Sequence, residues 1–173
     1  MKTKKLVLAG LFLALGLVMP FITGQIPDIG NMLLPMHISV LLCGYVCGWQ
    51  YGLIVGAITP LLRSVLFGTP FLFPRALCMA FELGAYGLIV GLMYGKMRHK
   101  KFEIYISLLV AMLSGRLIWG IVAMVVHGLI GMDFGLSYFM AEALFNAIPG
   151  IILQLTLVPA LIYSLEKAKL LED

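Results

Sequence analysis

The chain has 173 residues, of which 62% are hydrophobic and 12% are charged, and its formal net charge is +4 at pH 7. Apolar runs that continue nearly end to end, without period-2 alternation, predict an integral all-α membrane protein and not an outer-membrane barrel. This composition excludes a soluble catalytic domain, and because the lysines cluster at helix ends we expect no nucleic-acid partner.

The first predicted helix extends from about Lys5 to Thr23. Its basic start and apolar middle are typical of a signal peptide, but more membrane-spanning sequence follows in place of a polar mature domain, so we interpret it as a retained helix. A polar turn, GQIPDIGN, comes next. The second predicted helix covers about Met32 to Gly48, with Pro35 tolerated in its first turn.

The middle of the chain is predicted to be a hairpin of two membrane helices. The third helix covers about Tyr51 to Phe67, with a kink at Pro60, and the fourth covers about Pro74 to Tyr94. The loop FGTPFLFP between them carries the glycine and prolines of a sharp connection.

Two long helices complete the prediction. The fifth covers about Glu103 to Leu129, and the sixth covers about Tyr138 to Leu165 with Pro149 and Pro159 inside it. Their length favours a tilt or a break. We therefore expect a six-transmembrane-helix bundle that forms a single membrane domain over residues 1–173.

The basic residues occur in three segments, which precede the first helix, separate the fourth from the fifth, and follow the sixth. With six spans all three segments fall on one face of the membrane. The positive-inside rule then predicts that both termini are cytoplasmic. These residues are Lys2, Lys4, Lys5, Lys96, Arg98, Lys100, Lys101, Lys167 and Lys169.

This topology places the strongly polar helix residues in the outer half of the bundle. An ionisable group at membrane depth is costly and marks a pathway, a ligand pocket or a paired structural site. Arg75 and Glu82 are roughly 10 Å apart along one helix, so they cannot pair directly. Glu142, Asn146 and Gly150 recur at intervals of four, which places them on one helical face. The candidate substrate-binding residues are His37, Arg63, Arg75, Glu82, Arg116, Glu142 and Asn146.

Two interpretations of these polar groups stay open, namely an outward-open pocket and a purely structural network of ion pairs. The three helix-borne arginines and two glutamates leave one positive charge, which Asp28 or Asp133 of the outer loops or a substrate anion would balance. His37 and His127, taken singly, are typical of helix-end residues that are satisfied locally. His37 is nevertheless kept among the pocket candidates.

Motifs for other chemistries are absent from the sequence. Cys43, Cys47 and Cys78 lie in apolar runs without a histidine or carboxylate at ligand spacing, so we expect packing roles, no metal site and no cofactor. The string GLMYGK is one residue short of the Walker spacing, and neither HExxH nor GxSxG occurs. An intramembrane enzyme with Glu82 and Glu142 as acid and base would lack a nucleophile.

Small residues four apart occupy the inner half of the predicted bundle and allow helices to approach closely, within the bundle or with a partner. Gly10 and Ala14 lie on the first helix near the cytoplasm. The other such residues are Gly44 and Gly48, Gly52 and Gly56, and Gly87, Gly91 and Gly95.

Together these features resemble the substrate-binding S components of energy-coupling factor (ECF) vitamin transporters. The resemblance rests on the basic N-terminus, the small residues of the first helix, the outer polar residues and the strings MLLPMHISVLLCGYVCGWQYGLIVGAITPLLRSVLFG and MAFELGAYGLIVGLMYG. It covers most of the chain.

The resemblance implies a transport subunit and not an enzyme. Such a protein captures a vitamin or similar nutrient from outside a bacterial cell and docks in the plasma membrane on a coupling subunit, the T component, that carries two cytoplasmic ABC ATPases. The family docks through Ala-x-x-x-Ala on its first helix, which Gly10 and Ala14 match with glycine in the first place. The ligand would lie among the outer halves of the helices, with GQIPDIGN as the gate and FGTPFLFP and GMDFGLS as further covers.

The choice of substrate remains open at this point. The excess of arginine favours a carboxylate-bearing nutrient such as pantothenate, with the arginines in charge pairs or carboxylate contacts and the other residues in hydrogen bonds. Pyridoxine, another vitamin or a modified-base precursor are the other substrates considered. The alternative classes are a self-sufficient channel or secondary carrier, a non-catalytic membrane scaffold, and an intramembrane enzyme.

Overall fold

A computed structural model describes residues 2–23, 32–97, 102–131 and 135–168, and these residues form helices and no strand. The described residues include two π-helical turns, Leu72–Ala76 directly before α4 and Ala141–Phe145 directly after α6. The helices are α1 (Lys2–Thr23), α2 (Pro35–Cys47), α3 (Trp49–Phe67), α4 (Leu77–Met97), α5 (Glu103–Leu129), α6 (Leu136–Met140) and α7 (Ile148–Lys167).

Five helical stretches are long and apolar enough to cross a membrane. They are α1, α3, the stretch Leu72–Met97, α5 and α7. Helix α2 is apolar but has only 13 residues. At 1.5 Å per residue it spans about 20 Å, which is shorter than the hydrocarbon core of about 30 Å. The prediction of an all-α membrane protein is confirmed, with five candidate spans in the described residues.

The last predicted helix, from about Tyr138 to Leu165, is broken, which is one of the two outcomes that its length favoured. Helix α6 ends at Met140, the π-helical turn follows, and α7 begins only at Ile148. Pro149 stands at the second position of α7. Proline has no N–H to donate and clashes with the preceding turn, so it is tolerated at the start of a helix and interrupts a longer one.

Glycines bring α3 and α4 into backbone contact, as their spacing predicts. A Cβ added to Gly87 would lie 2.2 Å from the carbonyl oxygen of Gly52, and a Cβ added to Gly56 would lie 2.3 Å from that of Leu83. Any larger residue at these positions would push the two helices apart. Helix α4 thereby becomes the centre of the bundle, since α2 and α5 also pack against it.

The basic helix ends gather at one end of the bundle, which we call the inner end. Ala9, one turn after the lysines of α1, packs in one cluster with Cys47 at the end of α2. The rings of Tyr45 and Tyr94 meet at 5.1 Å, and the Tyr94 hydroxyl donates a hydrogen bond to Glu166 near the end of α7. The start of α1 and the ends of α2, α4 and α7 therefore lie together.

The inner part of the bundle is a close-packed core. Tyr45 donates a hydrogen bond of 2.8 Å to the carbonyl oxygen of Ile104, which joins α2 to the start of α5. Around this contact α2, α4, α5 and α7 bury apolar side chains, among them Leu41, Val90, Leu108, Val158 and Ile162. The polar side chains of His37, Glu82 and Arg116 lie further from the inner end.

Candidate functional site

A buried ion pair joins α4 to α5. Glu82 lies in the second turn of α4 and is only 2% exposed, and its Oε1 is 2.9 Å from a terminal guanidinium nitrogen of Arg116. Arg116 lies near the middle of α5 and keeps 14% of its side chain exposed. Because the two helices pack closely, a carboxylate and a guanidinium from different helices can meet inside the bundle. The two charges compensate each other where water is scarce.

His37 brings α2 to the same carboxylate. Its Nε2 is 3.5 Å from Glu82 Oε1, and its ring meets the ring of Tyr86 edge-on with centroids 5.2 Å apart. Tyr86 lies one turn beyond Glu82 on the same face of α4. A Cβ on Gly115 of α5 would lie 2.8 Å from the Tyr86 ring, so that glycine makes room for it. We call His37, Glu82, Tyr86 and Arg116 the outer polar cluster.

The hydrogen-bonding capacity of the outer polar cluster is not used up. Four buried atoms make no aligned hydrogen bond, namely both ring nitrogens of His37, Glu82 Oε1 and Arg116 Nε. His37 and Arg116 are therefore within ion-pair distance of Glu82 but are not oriented for good hydrogen bonds to it. A buried polar group left without a partner costs about 1–3 kcal/mol. Several such groups in one place have the character of a site that takes up water or a polar ligand.

Gln154 is a further buried polar residue and is not among the residues that the sequence predicted for the site. It lies in α7, is 1% exposed, and neither its amide nitrogen nor its amide oxygen has a hydrogen-bond partner. Its signal was in the spacing, because it continues the four-residue series through Gly150. The sequence analysis selected residues by charge and followed the four-residue series only as far as Gly150, so it did not include the uncharged Gln154.

Arg63 belongs to a different environment. It lies in α3, is 6% exposed, and donates a hydrogen bond to the backbone carbonyl of Leu17 in α1. Its guanidinium is 4.7 Å from the centre of the Phe21 ring and 5.5 Å from that of Phe67. Cation–π contacts of this kind stabilise a desolvated guanidinium. Within the described residues Arg63 forms no ion pair, and it connects α3 to α1.

The remaining predicted site residues lie apart from the outer polar cluster or at its edge. Arg75 is exposed in the turn before α4. Asn146 donates a hydrogen bond of 3.2 Å to Glu142, and both are half-buried next to the break before α7. His127 is buried, and its Nδ1 is 2.8 Å from the carbonyl oxygen of Ala123 in its own helix.

The expected docking residues lie on the surface of α1. Gly10 and Ala14 are exposed, and a Cβ added to Gly10 would have no neighbour within 4 Å. The three cysteines are buried and free, and no group of three potential metal ligands occurs in the described part of the chain. The expected counter-charges Asp28 and Asp133 and the GQIPDIGN loop lie outside the described residues.

Comparison with known proteins identifies the family. A family model described as "ECF transporter, substrate-specific component" matches residues 4–162, which is almost the whole chain. No significantly similar curated protein and no significantly similar solved structure was found. Members of this family are transport subunits that bind a substrate, not enzymes. This match shows that the chain belongs to the family of substrate-specific components of ECF transporters.

Proposed function

We propose that this protein captures a vitamin or a related small nutrient from outside a bacterial cell and delivers it through an ECF-type ABC transporter. One observation carries the proposal, namely the outer polar cluster, several of whose buried atoms lack an aligned hydrogen bond in a bundle whose interior is mostly apolar. Sites for small molecules are mostly apolar with a few convergent polar groups, and the convergence of three polar side chains from three helices supports the proposal. Glu82, Arg116 and His37 are the residues at its centre.

The proposed topology has six membrane-embedded helices with both termini in the cytoplasm of the cell, across its plasma membrane. The gathering of basic helix ends at the inner end supports this orientation through the positive-inside rule. With that orientation the outer polar cluster opens toward the outside. We propose that Glu142 and Asn146, next to the break before α7, line the entrance.

The substrate itself is left to experiment. A carboxylate-bearing substrate such as pantothenate was favoured by an excess of arginine, but Arg116 is paired with Glu82 and Arg63 binds a carbonyl of α1. Arg75 is exposed and would contact only a substrate at the mouth. The arginines therefore favour a carboxylate-bearing substrate less strongly than the sequence alone indicated.

We propose that Gly10 and Ala14 form the docking surface for the T component, which carries the two ABC ATPases. Their exposure on α1 and the open space above Gly10 support close approach by a partner helix. Ala14→Trp should then leave vitamin binding unchanged and abolish uptake. Leu113→Trp, at an exposed position of α5, is the matched control and should leave both unchanged. Normal uptake by Ala14→Trp would remove the docking role.

Reconstitution tests the transport function. Proteoliposomes would contain the chain alone or the chain with the coupling subunit and its ATPases, and uptake of labelled pantothenate, pyridoxine and other vitamins would be measured. We expect uptake only with the complete complex and ATP. Uptake by the chain alone would indicate a self-sufficient carrier or channel, and binding of no vitamin would indicate a scaffold. A substrate that is converted, with turnover lost in Glu82→Gln, would indicate an enzyme.

A further inference from the structure

Gln154 lies at the same depth as His37. Gly150, one turn earlier in α7, packs against the backbone oxygen of Met32 and the side chain of Leu34. Gln154 is then about 6 Å further inward along α7, and His37 is about 4.5 Å further inward along α2 from Leu34. Helices α2 and α7 pack against each other. The unpartnered amide of Gln154 and the imidazole of His37 therefore belong to one layer of the bundle.

This layer carries balanced charge. Glu82 and Arg116 compensate each other at 2.9 Å. Arg63 contacts the carbonyl of Leu17 and two aromatic rings, and Arg75 is exposed. A ligand with a full negative charge would enter this layer beside the carboxylate of Glu82 and without an unpaired arginine or lysine among its described residues, and burying an unpaired charge is strongly unfavourable.

The atoms that lack partners include hydrogen-bond donors and acceptors. The amide of Gln154 supplies an N–H donor and a carbonyl acceptor side by side, and Arg116 Nε is a further donor. The natural complement of a carboxamide side chain is another group with a donor and an acceptor on neighbouring atoms. Amides, lactams and ureides carry such an edge.

We infer that Gln154 is a specificity-determining residue that binds the amide-type edge of an uncharged substrate, so that the site prefers a neutral amide, lactam or ureide to a carboxylate. The inference rests on the proposed function, because it concerns the ligand of the same site. It also explains why a polar side chain occupies a fully buried position in α7, where leucine would pack without leaving unpartnered atoms.

Pairs of compounds that differ only in a carboxylate test the inference. The uncharged members are nicotinamide, panthenol and biotinamide, and their acids are nicotinate, pantothenate and biotin. Thermal unfolding of the full chain in detergent is followed while each compound is titrated. We expect at least one uncharged member to stabilise the protein at a concentration at least about tenfold lower than its acid requires, since one well-made hydrogen bond is worth about that factor.

Substitution of Gln154 gives a second readout. Gln154→Leu should unfold at a higher temperature than the wild type without added compound, and should lose the response to the uncharged member by about tenfold or more. Gln154→Met is the alternative variant if leucine is not tolerated. Gln50→Leu, at an exposed glutamine of α3, is the matched control and should keep the wild-type response.

The outcomes separate the inference from the proposed function. A preference for the acids, or an unchanged response in the Gln154 variants, would overturn the inference and leave substrate capture in place. No stabilisation of the wild type by any member of any pair would also overturn the inference, and the reconstitution assay with further vitamins would then decide the proposed function.

Discussion

The ion pair between Glu82 and Arg116 leads to the most demanding prediction about stability. Glu82→Gln removes the carboxylate and leaves Arg116 largely buried without a counter-charge. Breaking a buried ion pair on one side costs about 3–5 kcal/mol, because the remaining charge is uncompensated. For a chain of this length about 3 kcal/mol lowers the unfolding temperature by about 6–12 °C.

The double variant distinguishes pairing from other effects. Arg116→Met alone should destabilise by a similar amount, since it leaves the buried carboxylate of Glu82 without its cationic partner and with His37 and Tyr86 as its polar neighbours. Glu82→Gln combined with Arg116→Met removes both charges. The double variant should therefore lose much less unfolding free energy than the sum of the two single losses. Arg75→Met removes an exposed arginine and is the control, with an expected change within about 0.5 kcal/mol.

Thermal unfolding of the ligand-free protein in one detergent, for all four variants and the wild type, measures these quantities. Losses below about 1 kcal/mol in both single variants would mean that the pair is open to water and not the buried contact described. Strictly additive losses in the double variant would mean that Glu82 and Arg116 do not interact.

Two further predictions concern the packing of the bundle and its inner end. Gly87→Ala should prevent purification of a monodisperse protein, because its Cβ would lie 2.2 Å from the Gly52 oxygen. Gly95→Ala is the control and should purify as the wild type does, because there is open space around Gly95. Equal behaviour of the two variants would refute the close contact. Tyr94→Phe should lower the free energy of unfolding by about 1 kcal/mol, since it removes the hydrogen bond to Glu166. An unchanged unfolding temperature would show that this bond does not contribute.

The membrane helices were largely predictable because each is a continuous apolar run bounded by polar or glycine-rich segments. The start and end of α5 agree with the prediction to the residue, at Glu103 and Leu129. The prediction left two outcomes open where a proline lies inside an apolar run. Pro60 remains inside α3, but Pro149 begins a new helix, and only the packing of the neighbouring segments decides between a kink and a break.

The polar residues were predictable as a set but not in their pairing. Sequence position placed Glu82 and Arg116 at similar depth, yet which pair meets depends on how each helix is rotated about its axis. For the same reason Arg75 was grouped with Glu82 although it lies on the surface. Gln154 escaped notice because an uncharged amide barely changes the hydropathy of its helix.

The central claim is that the outer polar cluster holds a small-molecule substrate. Its most direct test is mass spectrometry of the compounds released when the detergent-purified protein is denatured, for the wild type and for His37→Leu. The account predicts a vitamin-sized compound at close to one molecule per chain in the wild type and its loss from the variant, with the variant still folded. A compound retained equally by His37→Leu, or lipids alone after growth and purification in vitamin-rich medium, would contradict it.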